Sequence, residues 1–150
     1  LLFNFPKAKI FLGDSGAYLM GSLVALNSII TNNLNPNVSS FFYCIVLFYL
    51  FVEVFFSFIR KVYQKKSPIY PDEYHLHMLS FKIIAKKYGR ENGNFINSII
   101  INLSYLLLII PGFYFSENPS LSRYWFFLLI FIYMYIYSRL YRLTKNQIVI

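Results

Sequence analysis

The chain has 150 residues, of which 57% are hydrophobic, 21% aromatic and only 13% charged, with a formal net charge of +8. Soluble domains carry about 25% charged residues, and 17 Phe with 14 Tyr exceed what one soluble core of this length can hide, so a purely water-soluble domain is excluded and lipid is the natural solvent. The single cysteine, Cys44, excludes an intramolecular disulfide and a Cys-based zinc cluster, and its apolar surroundings read as those of a buried, inert thiol.

Four apolar stretches follow one another at about 15–31, 41–59, 95–115 and 121–138. Each approaches the roughly 20 residues a helix needs to cross the hydrocarbon layer, and backbone groups in lipid must be paired within the segment, so each is expected to be helical. The fold class is therefore all-α integral membrane, a polytopic helix bundle with about four transmembrane helices. No Met opens the chain and no charged leader precedes the first stretch, so a signal peptide is not expected, and the chain reads as the C-terminal part of a longer protein.

The basic residues are distributed unevenly about these stretches. Lys7 and Lys9 precede the first, Arg60, Lys61, Lys65, Lys66, Lys82, Lys86, Lys87 and Arg90 fill the 60–94 connection, and Arg139, Arg142 and Lys145 follow the last. Only Arg123 falls on the other side, so thirteen of the fourteen cations share one face of the membrane, assigned to the cytoplasm by the positive-inside rule. Topology thus accounts for the charge, and nucleic-acid binding is not needed to explain it. Within the long connection, Leu79, Ile83, Ile84 and Tyr88 recur at helical spacing, predicting an amphipathic surface helix over Met78–Tyr88 that Gly89 ends.

Three places can carry chemistry. At Gly13-Asp14-Ser15-Gly16, Asp14 or Ser15 can cap the first helix; equally, Asp14 can hold Mg²⁺ while the helix N-terminus receives phosphate. The same four letters occur around serine-protease nucleophiles, but here they open an apolar helix, which rejects that reading. Beyond them, Ala17, Gly21 and Ala25 form a small-residue stripe suited to close helix packing. The second place is the run from Ser67 to His77, with Pro68, Pro71, Asp72, Glu73 and the chain's two histidines, His75 and His77. The pair would share a face in an extended segment and diverge in a helix; they read either as incidental loop residues or as ligands for phosphate or metal. A zinc site from Asp72, His75 and His77 lacks the usual ligand spacing. The third is Glu53, within the second stretch and in line with Ser57 and Arg60 on one helical face, read either as a polar stripe or as a functional group.

The segment Lys9-Ile10-Phe11-Leu12-Gly13-Asp14-Ser15-Gly16, the helix end from Val52 to Lys61, Ser67-Pro68, and Pro71-Asp72-Glu73-Tyr74-His75-Leu76-His77 resemble, in order and spacing, the polyprenyl-phosphate N-acetylhexosamine-1-phosphate transferases. Members of that family look like larger bundles, with a further aspartate-rich cytoplasmic motif upstream that this chain does not contain, so the chain alone is expected to be inactive. The resemblance implies Asp14, His75 and His77 as catalytic residues, Asp14 as the ligand of Mg²⁺ or Mn²⁺, and Ser15, Gly16, Arg60 and Asp72 as substrate contacts. Where the family has a third histidine, this chain has Met78.

The implied reaction moves a sugar 1-phosphate from a UDP-N-acetylhexosamine to polyprenyl phosphate and releases UMP, at the cytoplasmic side of a plasma or inner membrane, in cell-envelope precursor synthesis. Partners are the nucleotide sugar, the lipid carrier and the bilayer, with a homodimer as one option and no nucleic acid. The alternative from another class is a transporter or channel segment with Asp14 and Glu53 along an ion path.

Overall fold

A computed structural model describes residues 10, 12–68 and 70–148, so Lys7, Lys9, Phe11 and Ile69 of the stretches above lie outside it. The described residues form helices and no strands: α1 (Gly13–Leu34), α2 (Ser40–Val46), α3 (Phe48–Tyr63), α4 (Leu76–Tyr88), α5 (Arg90–Tyr114) and α6 (Pro119–Ile148). By length and composition α5 and α6 can each cross a membrane, and α2 with α3 makes a third crossing if the bent pair is one span.

The stretch expected as one helix over 41–59 is broken. α2 and α3 meet at Leu47 with a bend of 77°. Neither Pro nor Gly stands at the break, so nothing local announces it. A tertiary contact accompanies it: the Val46 carbonyl, turned out of the helical ladder, accepts a hydrogen bond from the Tyr105 hydroxyl of α5. A freed carbonyl in an apolar layer needs such a partner. The N-terminal end of α2 is tied as well, since Ser39 caps α2 through Phe41 N–H at 3.2 Å and donates its own N–H to the Ser116 carbonyl at 2.7 Å.

α1 has 22 residues, long enough to cross, yet it is not among the helices apolar enough to count as a span. Gly13, Asp14, Ser15 and Gly16 at one end and Asn27, Ser28, Thr31, Asn32 and Asn33 at the other dilute its mean hydropathy. It buries no residue, and the Ala17, Gly21, Ala25 stripe is exposed, with nothing within 4 Å of a Cβ built on Gly21. Cys44 is likewise exposed, correcting the buried-thiol expectation: α2 turns Ile45 inward, and the adjacent residue therefore faces out.

The core lies where α3, α4 and α6 meet, built from Phe48, Val52, Leu76, Leu79, Phe126, Leu129, Tyr133 and Tyr137, with Ile45 joining from α2. α4 is the amphipathic helix read from the sequence, begun two residues earlier. Its apolar side is occupied by the bundle rather than left for a lipid surface, for Leu79 is fully buried. Gly89, at φ +80°, is the single residue between α4 and α5, a left-handed position that disfavours a side chain. One turn later, a Cβ on Gly93 would lie 2.7 Å from Ala85 Cα, so the α4–α5 corner closes only with glycine there.

Candidate active site

The C-terminal half of α3 and the 64–75 connection enclose a polar cluster at one end of an apolar bundle. Glu53, Ser57 and Lys61 lie on the buried face of α3, and Arg60 joins them. Arg60 and Asp72 form an ion pair with side chains 9% and 6% exposed. Ser57 Oγ donates to Asp72 Oδ2 at 3.5 Å, and the Tyr74 N–H reaches Asp72 Oδ1 at 2.9 Å, a local turn that fixes the carboxylate. Burial pushes the Asp72 carboxyl up, but the Arg60 hydrogen bond, the Tyr74 N–H and the Arg60 and Lys61 charges bring it net below its ordinary value. The Arg60 guanidinium also sits 5.6 Å from the Tyr74 ring centre, while its buried Nε has no partner.

Lys61, 8% exposed, makes no direct ion pair among the described residues. Its Nζ donates to the Pro68 carbonyl at 3.1 Å and the Tyr70 carbonyl at 2.7 Å, strapping the proline-rich segment onto α3. Lys61→Met keeps the packed stem but removes both charged hydrogen bonds, and is expected to cost about 2 kcal/mol. Hydrogen exchange should show it as faster exchange in residues 66–74, with α5 and α6 unchanged.

Above this strap sits Glu53, 7% exposed. Its Oε2 lies 2.8 Å from His75 Nδ1, while Oε1 accepts from the Leu76 N–H at 2.9 Å and from the Tyr133 hydroxyl at 3.1 Å. His75 is extended at the N-cap of α4 and His77 is in the first turn, so the choice between strand and helix spacing resolves as a mixture of the two. The rings stack at 5.7 Å with planes 15° apart. His77 Nδ1 is 3.4 Å from the Tyr49 hydroxyl, and its backbone carbonyl accepts from Asn97 Nδ2 at 3.0 Å. Desolvation moves the His77 imidazole below its ordinary value, opposed by Glu53 and aided by His75, so at neutral pH it is an uncharged donor–acceptor.

A pocket of about 470 Å³ opens beside the cluster, lined by Arg60, Lys61, Lys66, Asp72 and Tyr74 among others. An apolar cavity of about 300 Å³ lies between α3, α4, α5 and α6, lined by Tyr49, Ile83, Tyr105 and Tyr133 among others. His75, His77, Arg60 and Asp72 are therefore spread along α3 rather than gathered at one point: Asp72 pairs with Arg60 near the helix's C-terminal end, His75 with Glu53 nearer its middle, and His77 lies by Tyr49 in its first turn. Asp14, Ser15 and Gly16 are not joined to them by any hydrogen bond or ion pair among the described residues. The helix begins at Gly13, at φ +70°, after Leu12, and has no side-chain cap; Asp14 is exposed in the first turn, which corrects the capping expectation for Asp14 and Ser15. Asp72, engaged by Arg60, does not join the histidines in a zinc set, and no group of three His, Cys, Asp or Glu fit for a metal occurs among the described residues. The group that composition undervalued is Glu53. Its cost as an acid within an apolar helix was the signal, but its partners stand 22 and more positions away.

Residues 1–32 match Glycosyl transferase family 4. Over 86 residues the chain is 36% identical to the undecaprenyl-phosphate alpha-N-acetylglucosaminyl 1-phosphate transferase of Thermotoga maritima, an alignment covering 57% of this chain and 28% of that protein. It is 34% identical over 80 residues to a probable undecaprenyl-phosphate N-acetylglucosaminyl 1-phosphate transferase of Bacillus subtilis, covering 51% and 22%. Against the undecaprenyl-phosphate alpha-N-acetylglucosaminyl 1-phosphate transferase of Haemophilus influenzae the identity is 24% over 146 residues, covering 93% and 39%. The chain therefore spans less than half the length of these curated relatives. No solved structure matches it.

Proposed function

We propose that this chain belongs to glycosyl transferase family 4 and is the C-terminal part of an enzyme that transfers an N-acetylhexosamine 1-phosphate from a UDP-sugar to polyprenyl phosphate. The observation that carries this reading is that residues 72–77 lie along α3, Asp72 against Arg60 and His75 against Glu53, beside a basic pocket and an apolar bundle, where an anionic nucleotide sugar and a membrane-held phosphate can meet. An oxygen of the lipid phosphate attacks the sugar-bearing phosphorus, the bond to the UMP phosphate breaks, and UMP leaves.

Arg60 and Lys66 line the pocket that would receive the nucleotide sugar's phosphates, with Asp72 holding Arg60 in place. The wider basic loop raises the local concentration of anionic substrates. His75 and His77 meet the reacting end by hydrogen bonds. Asp14, exposed and adjoining the free N–H groups of α1, supplies one carboxylate. Alone it fits Mg²⁺ or Mn²⁺ only in the usual manner of such sites, where substrate phosphates and water complete the shell. Bound there, the ion would neutralise charge on the transferred phosphoryl group. Ser15 and Gly16 offer backbone N–H groups of the same first turn to phosphate. A conducting path through Glu53 is disfavoured, because both its oxygens are taken by protein donors.

The full-length enzyme is expected to exchange labelled UMP into the UDP-sugar when polyprenyl phosphate and Mg²⁺ are present, and the 150-residue chain alone is expected not to. Absence of exchange in the full-length protein, or turnover without nucleotide, would overturn the transferase reading. The same reading takes α1, whose 22 residues are long enough, as a fourth crossing, which puts both chain ends and the 64–75 connection in the cytoplasm of a plasma or inner membrane, whether as monomer or homodimer. Cysteine introduced at Asn35 is then expected to react with an impermeant thiol reagent from outside, and cysteine at Lys65 only after permeabilisation; the reverse pattern would remove the site from the cytoplasm.

A further inference from the structure

Glu53 is an acid, 7% exposed, set within α3 where Phe48 to Phe56 are otherwise Phe, Tyr, Leu and Val, with Ser57, Arg60 and Lys61 only toward the far end. A helix can be tethered more cheaply than by an acid in an apolar layer, so its partners matter. Three donors from two other elements converge on it: the His75 ring and the Leu76 N–H at the start of α4, and the Tyr133 hydroxyl of α6. The Leu76 N–H is one of the open donors at a helix start, and α4 has no side-chain cap of its own, so Glu53 caps it from a distant helix. The positive end of α4 in turn favours the carboxylate. With all three groups donating, the His75 proton facing Glu53 is on Nδ1. The ring is only partly covered, its side chain 28% exposed, and Nε2 is the nitrogen left for a ligand.

We propose that Glu53 is a positioning residue, which grips His75 through Nδ1 and the α4 start together, so that Nε2 is the nitrogen presented to the nucleotide sugar. This rests on the transferase reading for the identity of the ligand, but not for the geometry. The orienting role is of the kind a carboxylate plays behind an imidazole elsewhere: it selects the tautomer and holds the ring without itself touching substrate.

The amide variant separates this from simple scaffolding. Glu53→Gln keeps the shape but has one acceptor oxygen. The backbone N–H of Leu76 cannot reverse, so that oxygen stays with Leu76 and Tyr133, and the new NH₂ group faces His75. The ring must then accept at Nδ1 and carry its proton on Nε2. In the full-length enzyme, ring ¹⁵N spectra of His75 at a pH where it is neutral are expected to show Nδ1–H in the wild type and Nε2–H in Glu53→Gln. Turnover in UMP exchange should fall about 10- to 100-fold, the usual cost of losing such an orienting partner. Glu53→Asp, which restores two acceptor oxygens, should regain the Nδ1–H form and most of the activity. An unchanged tautomer in Glu53→Gln would overturn the proposal, as would a changed tautomer with wild-type turnover. If the wild type itself shows no exchange, the transferase reading fails, while the ring spectra still decide whether Glu53 sets His75.

Discussion

Asp14→Asn in the full-length enzyme is expected to lower UMP release about a thousandfold or more, corresponding to roughly 4 kcal/mol of lost transition-state stabilisation, while leaving the protein folded. Asn keeps the size and the hydrogen-bonding capacity of the side chain but not the negative charge that a divalent cation requires. The competing explanation was helix capping, and the structure removes it, because Leu12 precedes the helix and Asp14 stands inside the first turn without a capping bond. What remains of a structural role is attraction to the helix dipole, about 0.3–1 kcal/mol of stability and nothing in turnover. Activity at saturating Mg²⁺ and matched expression, beside a melting curve in detergent, distinguishes the two. Wild-type turnover in the variant would leave Asp14 outside the chemistry.

The second large effect is expected at Asp72. Removing one partner of a buried ion pair strands the other, which costs about 3–5 kcal/mol. Asp72→Asn should therefore destabilise by that order in denaturant titrations of the full-length protein in micelles. Replacing Asp72 and Arg60 together with apolar residues should cost less than Asp72→Asn alone, because no charge is then left behind. The pair also sets an acid limb. The Asp72 carboxyl is lowered in the folded protein, so its contribution to stability is fully present above the ordinary carboxyl value of about 3.9 and is lost as pH falls through the lower folded value. The stability gap between wild type and Asp72→Asn is expected to narrow only below about pH 4; a gap that closes near neutral pH would point to another group.

Much of the architecture was legible because lipid imposes simple rules. α5 and α6 follow from two long apolar runs, and the α4 end follows from Gly89, whose left-handed backbone few other residues accept. The bend at Leu47 was not legible, since the Val46 carbonyl it frees is satisfied by the hydroxyl of Tyr105, 59 positions further on, and the sequence leaves that carbonyl unremarkable. α1 was read as a span from its length and its Leu, Ile and Val content, while its Asn and Ser residues weigh more in mean hydropathy than in a visual pattern. In the site, proximity in sequence was informative for His75 and His77 but not for their supports. The face shared by Glu53, Ser57 and Arg60 was visible as a helical period, yet spacing cannot say that Arg60 turns to Asp72 while Glu53 turns to His75. Each pairing depends on how the 64–75 connection folds back, and Lys61 fixes that through two backbone carbonyls, which carry no side-chain signature.

The chain's one tryptophan stands well away from all of this. Trp125 donates its indole N–H to the Leu108 carbonyl at 3.1 Å and meets Phe115 edge-on, at the end of the α5–α6 hairpin opposite the histidines. Excited at wavelengths that spare tyrosine, this chain therefore emits from a single reporter of helix pairing, blind to the tautomer of His75 or the charge of Asp72. Substitutions at the polar end of this chain can be sorted by emission colour: a red shift marks a loosened hairpin, and an unmoved spectrum marks an intact one.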